Sequence, residues 1–245
     1  MTYCVALRLD RGLVFMSDTR TNAGLDNIST FRKMYSWSDG EACAVTLLAA
    51  GNLATTQSVV SHLEERMKAP ADRAPSILSM PSMFQVARMI GNLLKDVIAE
   101  HAETGQRADA AFNATLIVGG QIRGSEPRLF LIYPEGNFIE AGEDTPWFQI
   151  GEVKYGRPIL VRTFRPEMTF SEAAKLLYVS FDSTIKANLS VGLPLDMQLY
   201  ENGSFRPTDI RRIEADDETY LAISEMWSEA LTNAFAHLPE VETEA

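Results

Sequence analysis

The first fifty residues alternate in the manner of β-strands. Tyr3, Val5, Leu7 and Leu9 interleave with Cys4, Ala6 and Arg8, a period of two with apolar residues on both faces, as in a strand covered on both sides. Asp10-Arg11-Gly12 reads as a tight turn and Leu13 to Ser17 as the returning strand of a hairpin. A polar stretch rich in Thr, Asn and Gly, from Thr19 to Thr30, reads as a loop. Lys33 to Trp37 and Ala42 to Ala49 read as two further strands, split by the turn Ser38-Asp39-Gly40.

The period then changes. Gly51-Asn52 can cap a helix in which Val59, Val60, Leu63 and Met67 fall at helical spacing, ended by Pro70 and Pro75. A second helix carries the stripe Met83, Val86, Ala87, Ile90, Leu93, Leu94, Val97 and Ile98 and stops near Gly105. Strands return at Ala114 to Val118, Leu129 to Tyr133, Phe138 to Ala141 and Phe148 to Gly151. The cluster Gly119-Gly120 with Gly124 reads as a turn between them. A capping box at Thr169-Phe170-Ser171-Glu172 opens a helix running to about Asn188, with Ala174, Leu177, Phe181 and Ile185 on one face. Short strands follow at Met197 to Tyr200 and Ile210 to Ile213. Asp216-Asp217-Glu218 sets negative charge at the start of a last helix carrying Tyr220, Ile223, Trp227, Leu231 and Ala234. Segregated runs of strands and helices argue an α+β fold. Two helix pairs covering the outer faces of two stacked antiparallel sheets would make a four-layer αββα sandwich, read as one domain over 1–245. The acidic end, about 238–245, is expected to be frayed and solvated.

Composition narrows the function. The 245 residues are 46% hydrophobic and 22% charged, enough to bury a sizeable core. A net charge of -11 disfavours binding to a phosphate backbone, so no nucleic-acid partner is expected. No apolar run approaches the roughly 18 residues of a membrane span, and the N-terminus lacks the pattern of a secretory signal. Cys4 and Cys43 have neither CxxC spacing nor metal-site companions, which suits the cytoplasm, and His62, His101 and His237 lie far apart. No metal and no organic cofactor is implied. Phosphate-loop, GxSxG and strand-associated GxGxxG signatures are absent.

One constellation carries chemistry. Thr2 follows the initiator Met directly and precedes a strand, so removal of Met1 is expected to leave a free α-amino group beside a hydroxyl. Such an amine has an ordinary pKa of about 7.7–8.0, well placed for a base near neutrality. Thr2 would then supply nucleophile and base together. Fifteen residues separate Thr2 from Asp18, a fair length for two strands and a turn that return Asp18 beside the opening of the first strand. Lys33, at the next strand's start, would bring an ammonium to the same point, favouring alkoxide character, with Asp18 holding it. Ala49-Ala50-Gly51-Asn52 joins a strand to a helix N-terminus, where backbone N–H groups can stabilise an oxyanion.

Met-Thr at the start, Ser17-Asp18-Thr19-Arg20-Thr21-Asn22-Ala23-Gly24, Phe31-Arg32-Lys33 and Ala50-Gly51 resemble proteasome-type β subunits of the N-terminal nucleophile hydrolases. MTYCVALRLDRGLVF, DTRTNAG, STFRKM and SVGLPLD resemble the bacterial Anbu, or ancestral β-subunit, branch. The resemblance implies an αββα sandwich, self-assembly into a homo-oligomeric ring or spiral, and threonine-type hydrolysis of a peptide or protein substrate. Position by position it implies Thr2 as nucleophile, Asp18 and Lys33 as its partners, Gly51 as the oxyanion-hole glycine and Arg20 as a structural arginine. Asn22 falls where a substrate-aligning loop offers its backbone, and Ser190 matches an accessory serine. Three departures stand beside these matches: the interval from Asp18 to Lys33 is one residue shorter than in most proteasome β subunits, Glu152 follows Ile150-Gly151 where an accessory serine is expected, and Ala187 takes the place of an accessory aspartate. A narrow-substrate amidase and a non-catalytic scaffold are the alternative readings. Nothing in the residues names an unfoldase or operon-encoded partner.

Overall fold

The computed structural model describes residues 2–22, 28–68, 75–104 and 112–242. The opening alternation folds as β1 (Tyr3–Leu9) and β2 (Gly12–Asp18), antiparallel with Cys4 opposite Ser17 and Leu9 opposite Gly12. The polar stretch after it is not wholly loop. β3 (Arg20–Asn22) and β4 (Ile28–Thr30) pair as a separate two-stranded ribbon; three residues each are too few for alternation to show in the sequence. β5 (Met34–Ser38) and β6 (Cys43–Gly51) follow as a hairpin.

The Asn52 side chain accepts a hydrogen bond from Thr55 N–H at 3.1 Å, capping α1 (Leu53–Lys68) as expected. α2 (Met83–Thr104) buries the predicted stripe against α1 and the sheet. The breaker Pro70, the stop at Gly105 and residue Met1 lie outside the described residues. β7 (Ala114–Ile122), β8 (Arg128–Ile132), β9 (Phe138–Glu140) and β10 (Trp147–Gly151) come next.

β7 overturns one expectation. Gly124 does turn the chain, but Gly119 and Gly120 lie inside the strand, opposite Leu129 and Arg128 of β8. A Cβ on Gly119 would crowd Phe15 and Leu129, and one on Gly120 would overlap the Ala44 carbonyl. The glycines there permit close approach of neighbouring chain rather than a turn.

α3 (Arg157–Thr163) has no counterpart in the predicted elements; with Leu160 its only buried side chain, it leaves no periodic signal. α4 (Phe170–Ala187) begins with the expected capping box, in which the Thr169 hydroxyl accepts from Glu172 N–H and Glu172 accepts from Thr169 N–H. Its burial reaches well beyond the predicted face, to Leu176, Tyr178, Ser180 and Thr184, because a sheet lies on one side and a helix on the other. β11 (Leu195–Glu201) and β12 (Arg211–Ile213) precede α5 (Glu218–Ala236), whose N-cap Asp217 accepts from Tyr220 N–H at 2.8 Å. On the expected face of α5, Tyr220 is buried, Ile223 and Trp227 are half-buried, and Leu231 and Ala234 are exposed.

The strands form two five-stranded antiparallel sheets, ordered β10-β1-β2-β11-β12 and β5-β6-β7-β8-β9. Three apolar layers account for their stacking. Cys4, Ala6, Leu13, Phe15, Leu48 and Ile117 fill the space between the sheets. Leu47, Val118, Leu63, Ile90 and Leu94 pack one sheet against α1 and α2. Val5, Leu7, Val14, Met16, Leu177 and Phe181 pack the other against the α4 side. Successive residues of β1 and β2 thus serve different layers, which explains burial that is complete along β2 and interrupted in β1 only at Arg8. The α+β fold is the expected αββα sandwich, with three helices rather than two in its second outer layer.

The glycine packing in β7 yields a test. Gly120→Ala should lower stability by roughly 1–3 kcal/mol through overpacking, read from urea melts of the two proteins. Equal midpoints would show that the Ala44 carbonyl does not require the glycine.

Candidate active site

Thr2 stands half-buried immediately before β1. Its placement is set by main-chain bonds on both sides. The Thr2 carbonyl accepts from Glu152 N–H at 2.6 Å, and the Tyr3 N–H donates to Asp18 Oδ1 at 2.9 Å. Gly151, opposite Tyr3 in the β1–β10 pair, has φ +82°, and a Cβ there would overlap the Thr2 carbonyl. Only glycine leaves room for that close contact.

The hairpin and the next strand deliver the other groups. Asp18 ends β2, so the antiparallel pairing returns it to the start of β1. Lys33 directly precedes β5, and its carbonyl accepts from Ala49 N–H at 2.9 Å, extending the β5–β6 pairing by one residue. The Lys33 ammonium donates to Asp18 Oδ1 at 2.8 Å and to the Arg20 carbonyl at 2.6 Å. Both side chains are nearly sealed from solvent, 0% exposed for Asp18 and 7% for Lys33. One carboxylate oxygen therefore serves two donors, while Oδ2 has no partner among the described residues. Burial pushes the Asp18 carboxyl above the ordinary aspartate range, opposed by the Lys33 charge and by the hydrogen bonds from Lys33 and Tyr3.

These elements enclose a cleft of about 290 Å³ whose lining includes Thr2, Lys33, Gly51 and Gly151. Ala49 and Ala50 form part of its wall, and Arg32 is an exposed cation at its edge. Thr2, Lys33 and Gly51 thus share one space, with Asp18 tied to Lys33 on the buried side. The predicted Asn22 ends β3, where its neighbour Thr21 lines the cleft. Ser190 is not in that lining; it sits in the turn after α4, where its N–H donates to Asn188 Oδ1 at 2.9 Å. Arg20 reaches the same turn, donating to the Leu189 carbonyl at 3.0 Å.

Three participants escaped the motif reading. Leu53 and Thr56, one turn apart on α1, line the cleft; their i, i+3 spacing after the capping Asn52 was the available signal. Glu152 is buried, and its Oε2 accepts from Asn188 Nδ2 at 2.9 Å. Its position after Ile150-Gly151 marked it only as a departure. Cys4, below Thr2 on β1, is fully buried, and burial pushes its thiol well up from the usual range, consistent with a packing residue rather than a nucleophile. Among the described residues, no cluster of side chains could hold a metal ion.

The buried pair gives a second test. Lys33→Met leaves Asp18 buried without its cation, and near neutral pH this should cost about 3–5 kcal/mol. A carboxyl raised in the fold binds its proton more tightly there than when unfolded, so its contribution to stability falls as pH rises through the folded value. Removing Lys33 leaves the upward push less opposed. The deficit against wild type should therefore be largest above the folded value of Asp18 and shrink on acidification. Denaturant melts across pH check this, and a deficit that does not vary with pH would count against the pairing.

Comparison with known proteins places this fold in a family. Residues 2–193 match the family described as proteasome subunit. A proteasome subunit beta 2 from Pyrobaculum neutrophilum is 23% identical over 212 residues, spanning 84% of this chain and 92% of that one. Among solved structures, Anbu from Hyphomicrobium sp. strain MC1 superposes with a TM-score of 0.89 at 48% identity, covering 99% of this chain and 100% of that one. Anbu from Yersinia bercovieri gives 0.91 at 43%, covering 100% of both. Anbu from Pseudomonas aeruginosa, described as a helical assembly, gives 0.91 at 41%, covering 99% of both. With the family match over most of its length and these structural likenesses, the chain belongs to the proteasome subunit family, on its Anbu, or ancestral β-subunit, branch.

Proposed function

We propose that the chain is a self-assembling N-terminal threonine peptidase, hydrolysing peptide bonds by acyl transfer through Thr2 once Met1 is removed. The observation that carries this reading is the cleft shared by Thr2, Lys33 and Gly51, with Asp18 bound at once to the Lys33 ammonium and the Tyr3 N–H. In the proposed reaction Thr2 Oγ1 attacks the scissile carbonyl carbon while its proton passes to the Thr2 amine, directly or through a water. The Gly51 N–H stabilises the oxyanion, and the Lys33 charge favours alkoxide character on the hydroxyl. Collapse of the tetrahedral intermediate breaks the C–N bond, and the proton leaves on the departing amine. Water then hydrolyses the Thr2 ester, with the same amine as base. The ribbon of β3, ending at Asn22, aligns an extended substrate by its backbone.

Self-assembly is inferred from two features. The relative from Pseudomonas aeruginosa is described as a helical assembly. Along the outer side of α5 and just beyond, Leu231, Phe235 and Leu238 stand exposed at i, i+4, i+7 spacing, with Met226 also exposed; an apolar row of this kind marks a surface used in association. A homo-oligomer would also shelter the cleft. The cytoplasm is the compartment this reading assigns, in keeping with the two free, buried cysteines.

Intact-mass measurement with and without a threonine-directed β-lactone tests the nucleophile. The expected result is a chain lacking Met1 that carries one adduct mapped to Thr2, with Thr2→Ala unlabelled. Retention of Met1 would remove the base and leave the scaffold reading. Sedimentation velocity tests assembly: the expected species is a multi-subunit particle, and a monomer at micromolar concentration would refute it.

A further inference from the structure

The hydrogen bonds around the cleft close into a circuit that no single motif contains. From Thr2 the chain passes to Tyr3, whose N–H is held by Asp18; Asp18 holds Lys33, and Lys33 donates to the Arg20 carbonyl. The Arg20 guanidinium donates to the Leu189 carbonyl, in the turn that follows α4, and its plane lies against Gly192. Beside Leu189, Asn188 donates through Nδ2 to Glu152 Oε2 and accepts through Oδ1 from Ser190 N–H. Glu152 returns to the start, its N–H donating to the Thr2 carbonyl. Apart from Thr2–Tyr3, Leu189–Asn188 and the links through single residues, every join is a hydrogen bond.

Within this circuit the Glu152–Asn188 contact is the only side-chain to side-chain bond besides Asp18–Lys33. Glu152 is buried, and its carboxylate has no cationic partner among the described residues; its other oxygen accepts only from Lys154 N–H at 3.3 Å. Asn188 is fixed in turn, because its N–H donates to the Thr184 carbonyl and ends α4. A buried carboxylate held by a neutral amide, with no ion pair to offset desolvation, is a poor device for stability alone. It is a good device for geometry, since it couples a helix terminus to the peptide unit that carries the Thr2 carbonyl.

We propose that Glu152 and Asn188 are positioning residues: their hydrogen bond closes the circuit and holds the Thr2 peptide in register with the Asp18–Lys33 pair. The consequence for Thr2 reactivity rests on the nucleophile reading above; the consequence for structure does not. Both act through the main chain, and neither is assigned contact with a reacting atom.

The test compares wild type, Glu152→Ala, Asn188→Ala and Glu152→Gln in two measurements on the full chain. Hydrogen–deuterium exchange reads the amides of Glu152 and Ser190, and the β-lactone labelling rate reads Thr2. In the two alanine variants both amides should exchange at least tenfold faster, and labelling should slow at least tenfold. Glu152→Gln, which can still accept from Asn188 Nδ2, should return both readouts to within about threefold of wild type. Amides that stay protected in the alanine variants overturn the proposal. So does a glutamine variant no better than alanine, because charge rather than the hydrogen bond would then matter. If every protein resists labelling while the exchange pattern appears as stated, the nucleophile reading falls and the bridge stands.

Discussion

Removing a carboxylate and an ammonium from water costs several kcal/mol per ion, and the Asp18–Lys33 pair meets that cost in a particular place. Asp18 ends a strand of one sheet, and Lys33 leads into a strand of the other. Their contact therefore ties the two sheets together at the end where β1 begins and β6 finishes. Each charge makes one further hydrogen bond nearby: Asp18 Oδ1 accepts from the Tyr3 N–H, and the Lys33 ammonium donates to the Arg20 carbonyl. An apolar pair of similar volume would pack as well or better. What it would not supply is a fixed positive charge beside Thr2.

The apolar layers make this arrangement reproducible. Because successive residues of β1 and β2 feed different cores, a one-residue slip in their pairing would exchange the inter-sheet layer with the helix-facing layer. The register that returns Asp18 to Thr2 is thus enforced by Val5, Leu7, Phe15 and Met16 rather than by the polar groups themselves. Chemistry at the end of the hairpin inherits its accuracy from packing along it.

Much of this was legible in the residues, and for stated reasons. The double-faced alternation of β1, the stripe of α2 and the capping box of α4 are local signals, and the structure follows them. Strand lengths and a tight turn allowed Thr2, Asp18, Lys33 and Gly51 to meet, and the resemblance to proteasome-type β subunits singled them out. What escaped is non-local. Gly119 and Gly120 carry the usual marks of a turn, and only the positions of Ala44 and Phe15, far away in sequence, make them strand residues. α3 buries a single side chain and leaves no period to detect. Glu152 and Asn188 are 36 residues apart, and nothing near either one announces a partner.

Residue 2 is held in place by its peptide groups: the carbonyl by Glu152 N–H, and the amide that follows it by Asp18. Among the described residues its hydroxyl forms no hydrogen bond. Architecture and chemistry are thus written into different atoms of one residue. The bonds that place position 2 are made by its backbone, so exchange of the threonine leaves both in place and changes what the residue offers to the cleft. The frame of the subunit and the group that position 2 presents to the cleft can therefore change independently of each other.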